Sequence, residues 1–219
     1  MKKLTKIKLI NWHLFPNQTI EISGNTLISG ENGSGKSTLL DAMQYLLVGG
    51  RSGAKFNIAA TDDAKRSLEG YIRGRIGAED KEFLREGDVI THIALEFYDD
   101  DEETYSIIGA ILDLPKTGTL KERFYILENE SIQEEYFTDK KFPRNYISMR
   151  DYLKALNVEL NPYDTQKAYR DALAKFFGMD ARKYARILPK ALAFQPIDLQ
   201  QFMFEFLLDD DPIDIRSVS

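Results

Sequence analysis

The chain has 219 residues, 43% of them apolar or aromatic, a formal charge of −6 and no cysteine. That length and apolar share are enough for one large or two small domains with a real core, and the lack of cysteine excludes a disulfide framework and any thiolate zinc site. The acidic balance argues against a uniformly basic nucleic-acid binder, and without a long apolar run or a basic-then-apolar leader the expectation is a globular, cytoplasmic chain with no membrane partner.

In chain order, hydrophobic alternation predicts strands over 3–10 and 18–23, then a short buried strand over 26–29. That last strand runs into Gly30-Glu31-Asn32-Gly33-Ser34-Gly35-Lys36-Ser37, which satisfies G-x-x-x-x-G-K-[ST] at every fixed position. The glycines let successive backbone N–H groups turn inward on a β-phosphate, with the positive end of the following helix dipole behind them. Lys36 would reach the β- and γ-phosphates, the Ser37 hydroxyl would ligate Mg²⁺, and Thr38 completes the cradle. Leu39, Leu40, Met43, Leu46 and Leu47 fall on one face of a helix that Gly49-Gly50 can end. ATP or GTP with Mg²⁺ is therefore the expected ligand.

Beyond the helix, a strand-rich stretch spans 89–129, with Ile93, Leu95 and Phe97 alternating with polar neighbours and further strands over 106–112 and 123–127. The acidic run at 99–103 reads as a solvated hairpin tip rather than a metal site. From Ser148 the period changes, and helices are predicted over 149–156, 164–177, 181–193 and 199–208, broken at Asn161-Pro162, Gly178 and Gln195-Pro196. Two segments imitate the apolar strand ending in acids that a P-loop ATPase also needs. In 93–100, Glu96 interrupts a strand that ought to be buried on both faces, and its alternation suits a half-exposed antiparallel strand. In 202–210 the apolar residues lie at helical spacing. No serine-glycine signature accompanies either, so half of an ATPase site is expected here, on a chain expected to continue past Ser219.

An early P-loop with strands on both sides, then helices and no second acid, resembles the N-terminal head segment of structural-maintenance-of-chromosomes (SMC) ATPases. Phe56-Asn57-Ile58-Ala59-Ala60, Gly70-Tyr71-Ile72-Arg73-Gly74 and Arg85-Glu86-Gly87-Asp88 look like the MukB, MksB and Wadjet JetC branch of condensin-like proteins. The resemblance covers most of the chain, from Asn11-Trp12 through Gly50 to the stretch from Ala193 to Leu208 that would lead into a coiled-coil arm. It implies an α/β P-loop NTPase fold with an ABC/SMC-type head. Residues 1–147 would be the nucleotide-binding lobe, and 148–219 a helical part approaching the arm. It further implies a C-terminal head lobe and coiled coil of the same protein, a second SMC-like head closing on ATP, a kleisin, winged-helix subunits and DNA as partners, on a bacterial or archaeal nucleoid. The assembly's activity would be ATP-driven DNA loop extrusion or entrapment, in chromosome organisation or plasmid defence. This chain alone would turn ATP over hardly at all.

The resemblance also suggests further site residues. Gln195 sits where SMC heads place a glutamine near Mg²⁺ and the attacking water, with Gln200 and Gln201 as rivals and a helix-ending polar residue before Pro196 as the plain alternative. Arg73, or Arg75, matches an arginine sent toward nucleotide or DNA, since a guanidinium forks onto phosphate oxygens. Asn11, Trp12 and His13 follow the first strand, where a ring can stack on adenine; core packing for Trp12 and exposure for His13 are the plainer reading. His92 alternates with Ile93 on a strand and reads as structural. Two other classes remain open. One is a self-contained P-loop kinase with Arg73 and Arg75 as a lid. The other is a nucleotide-gated DNA-binding or dimerisation module using Arg182, Lys183, Arg186 and Lys190 along one helix face.

Overall fold

A computed structural model describes residues 2–22, 33–50, 67–76 and 82–184, with side chains in the P-loop helix from Thr38 onward. The predicted strand at 26–29 and the predicted helices beyond Tyr184 lie outside the described residues. Five strands, β1 (Lys2–Trp12), β2 (Phe15–Glu21), β3 (Val89–Asp99), β4 (Thr104–Leu114) and β5 (Lys121–Glu128), form one sheet in the order β2-β1-β3-β4-β5. Every pairing in it is antiparallel. The mixed α/β character expected from the sequence is present, but the described sheet is an antiparallel one, built largely of hairpins.

Helix α1 (Gly33–Val48), the short α2 (Leu68–Arg73) and α5 (Gln166–Phe176) cover one face; α3 (Glu134–Phe137) and α4 (Tyr146–Ala155) cover the other. A two-stranded ribbon, β6 (Thr138–Asp139) with β7 (Phe142–Pro143), joins α3 to α4. Alternation along each strand sorts side chains between two cores. Ile93, Leu95, Phe97, Ile108, Ala110 and Leu112 pack under α1 and α5. Ala94, Ile107, Ile111, Tyr125 and Leu127 pack under α3 and α4. Covering both faces makes β3 almost wholly buried, which corrects the half-exposed strand expected from its alternation. Its polar residues do not face water. His92, at 0% exposure, and Glu96, at 1%, face the second core, bonded to protein.

A bulge in β1 makes the Glu96 environment possible. The register with β3 shifts between Leu4 and Lys6, leaving Thr5 as the extra residue. Its hydroxyl donates to the Glu96 carboxylate at 2.7 Å, and the Ile132 backbone N–H donates to the other oxygen at 2.7 Å. Nearby, Lys8 is buried with its three N–H donors directed to Asn17 Oδ1 (2.7 Å), Thr19 Oγ1 (2.8 Å) and Glu134, tying the edge strand β2 and α3 to β1.

Three of the helices start at side-chain caps. Ser67, Asn145 and Thr165 accept from the backbone N–H groups of Gly70, Ser148 and Ala168 at the heads of α2, α4 and α5. The sequence expectation of a single apolar face on α1 needs correction, because every residue from Asp41 to Gly50 is buried. Gly49 and Gly50, both at positive φ, end it as expected. No helix among the described residues is long and apolar enough to cross a membrane.

His92 gives this interior a pH dependence. Its Nε2 lies 2.7 Å from the Arg144 carbonyl, which can only accept, so the neutral ring carries its proton on Nε2. Burial, helped by the Lys8 charge and opposed by the Arg144 bond, lowers its pKa from 6.5 to about 4. The folded ring therefore stays neutral down to about pH 4, while the unfolded chain binds the proton from about pH 6.5 downward. This contribution to stability is complete above pH 6.5 and is lost as pH falls through that window, by up to about 3 kcal/mol. Urea denaturation at pH 7 and pH 4.5 should show the loss in the wild type and a much smaller one in His92→Gln. Equal losses in the two would refute the assignment.

Candidate nucleotide-binding site

The second half of the P-loop is the start of α1: Gly33, Ser34, Gly35, Lys36 and Ser37 all have helical backbone. The site is therefore built around a helix N-terminus, whose first N–H groups lack intrahelical acceptors and whose dipole favours an anion. α1 carries no acidic residue in its first turn, where carboxylates would otherwise be favoured and would repel phosphate. Gly30, Glu31 and Asn32 lie outside the described residues, as do the side chains of Lys36 and Ser37. Gln195, Gln200, Gln201, the stretch 56–60 and the acidic segment 202–210 also lie outside them.

Of the sequence candidates that are described, three gather where β1 meets α1 and α2. Trp12 is wholly buried, stacked on Tyr71 with ring centroids 4.6 Å apart and planes 15° from parallel. Its Nε1 donates to the Thr38 carbonyl at 3.0 Å. Thus Trp12 is packed in the core, the plainer of the two readings, and touches the first turns of α1 from beneath. Asn11, at φ 52°, donates through Nδ2 to the Ile90 carbonyl at 3.0 Å, and its own carbonyl accepts from the Thr91 hydroxyl at 2.6 Å. His13, at φ 48°, turns the chain into β2 and meets the Tyr71 ring edge-on. Thr38 is itself buried, one residue past Ser37.

Arg73 ends α2 and its guanidinium lies among backbone carbonyls: Nη1 donates to Arg85 and Gly87 at 3.1 and 2.9 Å, Nη2 to Pro115 at 3.1 Å. Arg85 works in the same way, with Nε on the Ile72 carbonyl at 2.7 Å and Nη2 on that of His13 at 2.6 Å. Burial lowers its pKa to about 10. Together the two arginines clamp α2 between the β1–β2 turn and the approach to β3. Arg75 lies over the Phe83 ring, 5.4 Å from its centroid. The acids at 99–101 form the expected hairpin tip. Asp99 accepts from the Asp101 N–H at 2.9 Å and pairs with Lys2 at 3.5 Å, while Asp100 lies 4.0 Å from Lys3. Of the basic helical face, Arg182 is exposed and Lys183 half-buried; Arg186 and Lys190 lie outside the described residues.

Sequence reasoning missed Asp41 and the role of Tyr71. Asp41 is buried four residues after Ser37, and the Tyr71 hydroxyl donates to its carboxylate. A signal existed in the lone acid inside the apolar run from Leu39 to Val48. Its partner, Tyr71, lies 30 residues further along the chain, where no local pattern ties the two together.

Residues 4–63 match the family model described as the P-loop containing region of AAA domain. The match takes in β1 from Leu4 onward, β2, the P-loop and all of α1, under a third of the 219 residues. Comparison with curated protein sequences gives no match. The chain thus carries a stretch similar to P-loop nucleotide-binding regions on a mixed α/β fold, and such a region usually binds its nucleotide with Mg²⁺.

Proposed function

We propose that this chain is the ATP-binding N-terminal lobe of an SMC-like ATPase head. The observation that carries the reading is the complete phosphate-cradle sequence continuing into α1, inside the stretch matched as a P-loop region. The finer assignment is supported by the stretches 56–60, 70–74 and 85–88, which resemble the MukB, MksB and JetC branch. On this reading Lys36 and Ser37 hold the phosphates and Mg²⁺, with Gly30 to Gly35 supplying backbone donors. A second lobe would supply the acids and signature that complete hydrolysis, and the assembly would act on DNA with a second head, a kleisin and winged-helix subunits.

Calorimetric titration with MgATP should show one site per chain, lost in Lys36→Ala because the cation facing the β- and γ-phosphates is gone. Turnover by the chain alone should stay at background until a C-terminal lobe is supplied. Robust turnover that disappears in Lys36→Ala would mean a complete site on this chain, as in a self-contained kinase or NTPase, and would overturn the half-head reading.

A further inference from the structure

We infer that Tyr71 and Trp12 are positioning residues for the phosphate site, acting through Asp41 and Thr38 on the first turns of α1; the inference rests on the nucleotide-binding reading above. The Tyr71 hydroxyl donates to the buried Asp41 carboxylate, Trp12 Nε1 donates to the Thr38 carbonyl at 3.0 Å, and the two rings stack. Helical side chains lean toward the N-terminus, so Asp41 projects back over the turn that carries Ser37.

α1 needs such a device at its N-terminal end because its other directional contacts lie further along the helix, where Tyr45 donates to Glu122 and the Leu46 and Leu47 carbonyls accept from tyrosines. From Asp41 to Gly50 every residue is buried, and the side-chain contacts of Met43, Leu46 and Leu47 are apolar, non-directional and tolerant of small shifts. Phosphate binding at a helix N-terminus tolerates much less, because N–H geometry and dipole both act at close range. Two hydrogen bonds at residues 38 and 41 pin the helix in rotation and translation just behind the P-loop. The brace is itself anchored. The His13 N–H donates to the Tyr71 carbonyl at 2.6 Å, and Arg85 bonds the carbonyls of Ile72 and His13 on either side.

The far end of α1 supplies an internal control. There Tyr169 donates to the Leu46 carbonyl at 2.8 Å and Tyr184 to that of Leu47 at 2.5 Å. These are buried tyrosine bonds to the same helix, remote from its N-terminus. A merely stabilising role would make the two ends equivalent, whereas a positioning role makes only the N-terminal pair matter to nucleotide.

The experiment measures MgATP dissociation constants and melting temperatures for the wild type, Tyr71→Phe, Trp12→Phe, Asp41→Asn and Tyr169→Phe, well below the melting transition. Tyr71→Phe keeps the ring stack and loses one bond to a charged group, and should weaken ATP binding about tenfold. Trp12→Phe should act in the same direction, and carries the test if Tyr71→Phe does not fold. Asp41→Asn, whose Oδ1 can still accept the hydroxyl, should stay within about threefold of wild type. Tyr169→Phe should lower the melting temperature and leave affinity unchanged. Wild-type affinity in both Tyr71→Phe and Trp12→Phe, or an equal loss in Tyr169→Phe, would overturn the brace while leaving the nucleotide reading intact. A wild type that binds no MgATP would remove the nucleotide reading and the brace with it.

Discussion

Gly109→Ala should be among the most destabilising single substitutions available in this chain, costing about 3 kcal/mol and lowering the melting temperature by about 10 °C. Gly109 lies in the middle of β4, directly opposite Tyr125 on β5, in the sheet interior. A methyl group there would stand 2.3 Å from both Cζ and the hydroxyl of Tyr125, inside any tolerated contact. The phenol end of the ring covers the glycine and cannot swing aside, because the side chain is wholly buried in the core beneath α3 and α4. Its hydroxyl is buried without a hydrogen-bond partner, and burial raises its pKa well above the usual phenol value. An aromatic ring accepting that cost to cover a glycine shows how closely the pair is fitted. Thermal melts of Gly109→Ala, Tyr125→Val and the double variant give the direct check. The double variant should be clearly more stable than the sum of the singles predicts. Simple additivity would mean that the clash is relieved elsewhere and that the pair is not a unit.

Strand and helix positions were largely legible, and the reason is period. β3 alternates, β4 and β5 carry short apolar runs from Ile107 to Leu112 and from Phe124 to Leu127 between turn residues, and α4 and α5 repeat their apolar residues at helical spacing behind Asn145 and Thr165 caps. Alternation could not reveal what covers the second face of the sheet. Strands with His92 or Glu96 at alternate positions look half-solvated unless one knows that α3 and α4 close over them and that Arg144, Thr5 and Ile132 supply partners 2.7 Å away. Those partners lie 36 to 91 residues away in sequence from His92 and Glu96, a separation that no local pattern records.

The candidate site divides along the same line. The phosphate cradle was legible because its chemistry is compressed into eight consecutive residues. The support around it was not, because Trp12, Thr38, Asp41 and Tyr71 come from three elements and meet only through the fold. Arg73 illustrates the converse. Its motif suggested a guanidinium aimed at phosphate, and the fold surrounds that group with the carbonyls of Arg85, Gly87 and Pro115. A fork that suits a phosphate also suits a cluster of carbonyl oxygens, and residue type alone does not separate the two.

Glu96→Ala should cost about 3 to 4 kcal/mol, since it opens a cavity and leaves the Ile132 N–H and the Thr5 hydroxyl buried without their carboxylate acceptor. Glu96→Gln should cost only about 1 kcal/mol. The amide oxygen can accept from Ile132, and the Thr5 hydroxyl can reverse its role and accept from the amide N–H₂. The contrast between the two variants discriminates a structural carboxylate from a metal-binding one. A Mg²⁺ ligand would make Glu96→Gln severe for nucleotide turnover in an assembled head and nearly silent in a thermal melt of the apo chain. A structural carboxylate produces the opposite pattern, with the melt ordering the variants as wild type, Gln, then Ala and MgATP affinity the same in all three. Glu96 sits under α3 and α4, on the sheet face opposite α1. A carboxylate there can reach a phosphate-bound ion at the N-terminus of α1 only through the sheet itself, so the stability ordering is the expected result.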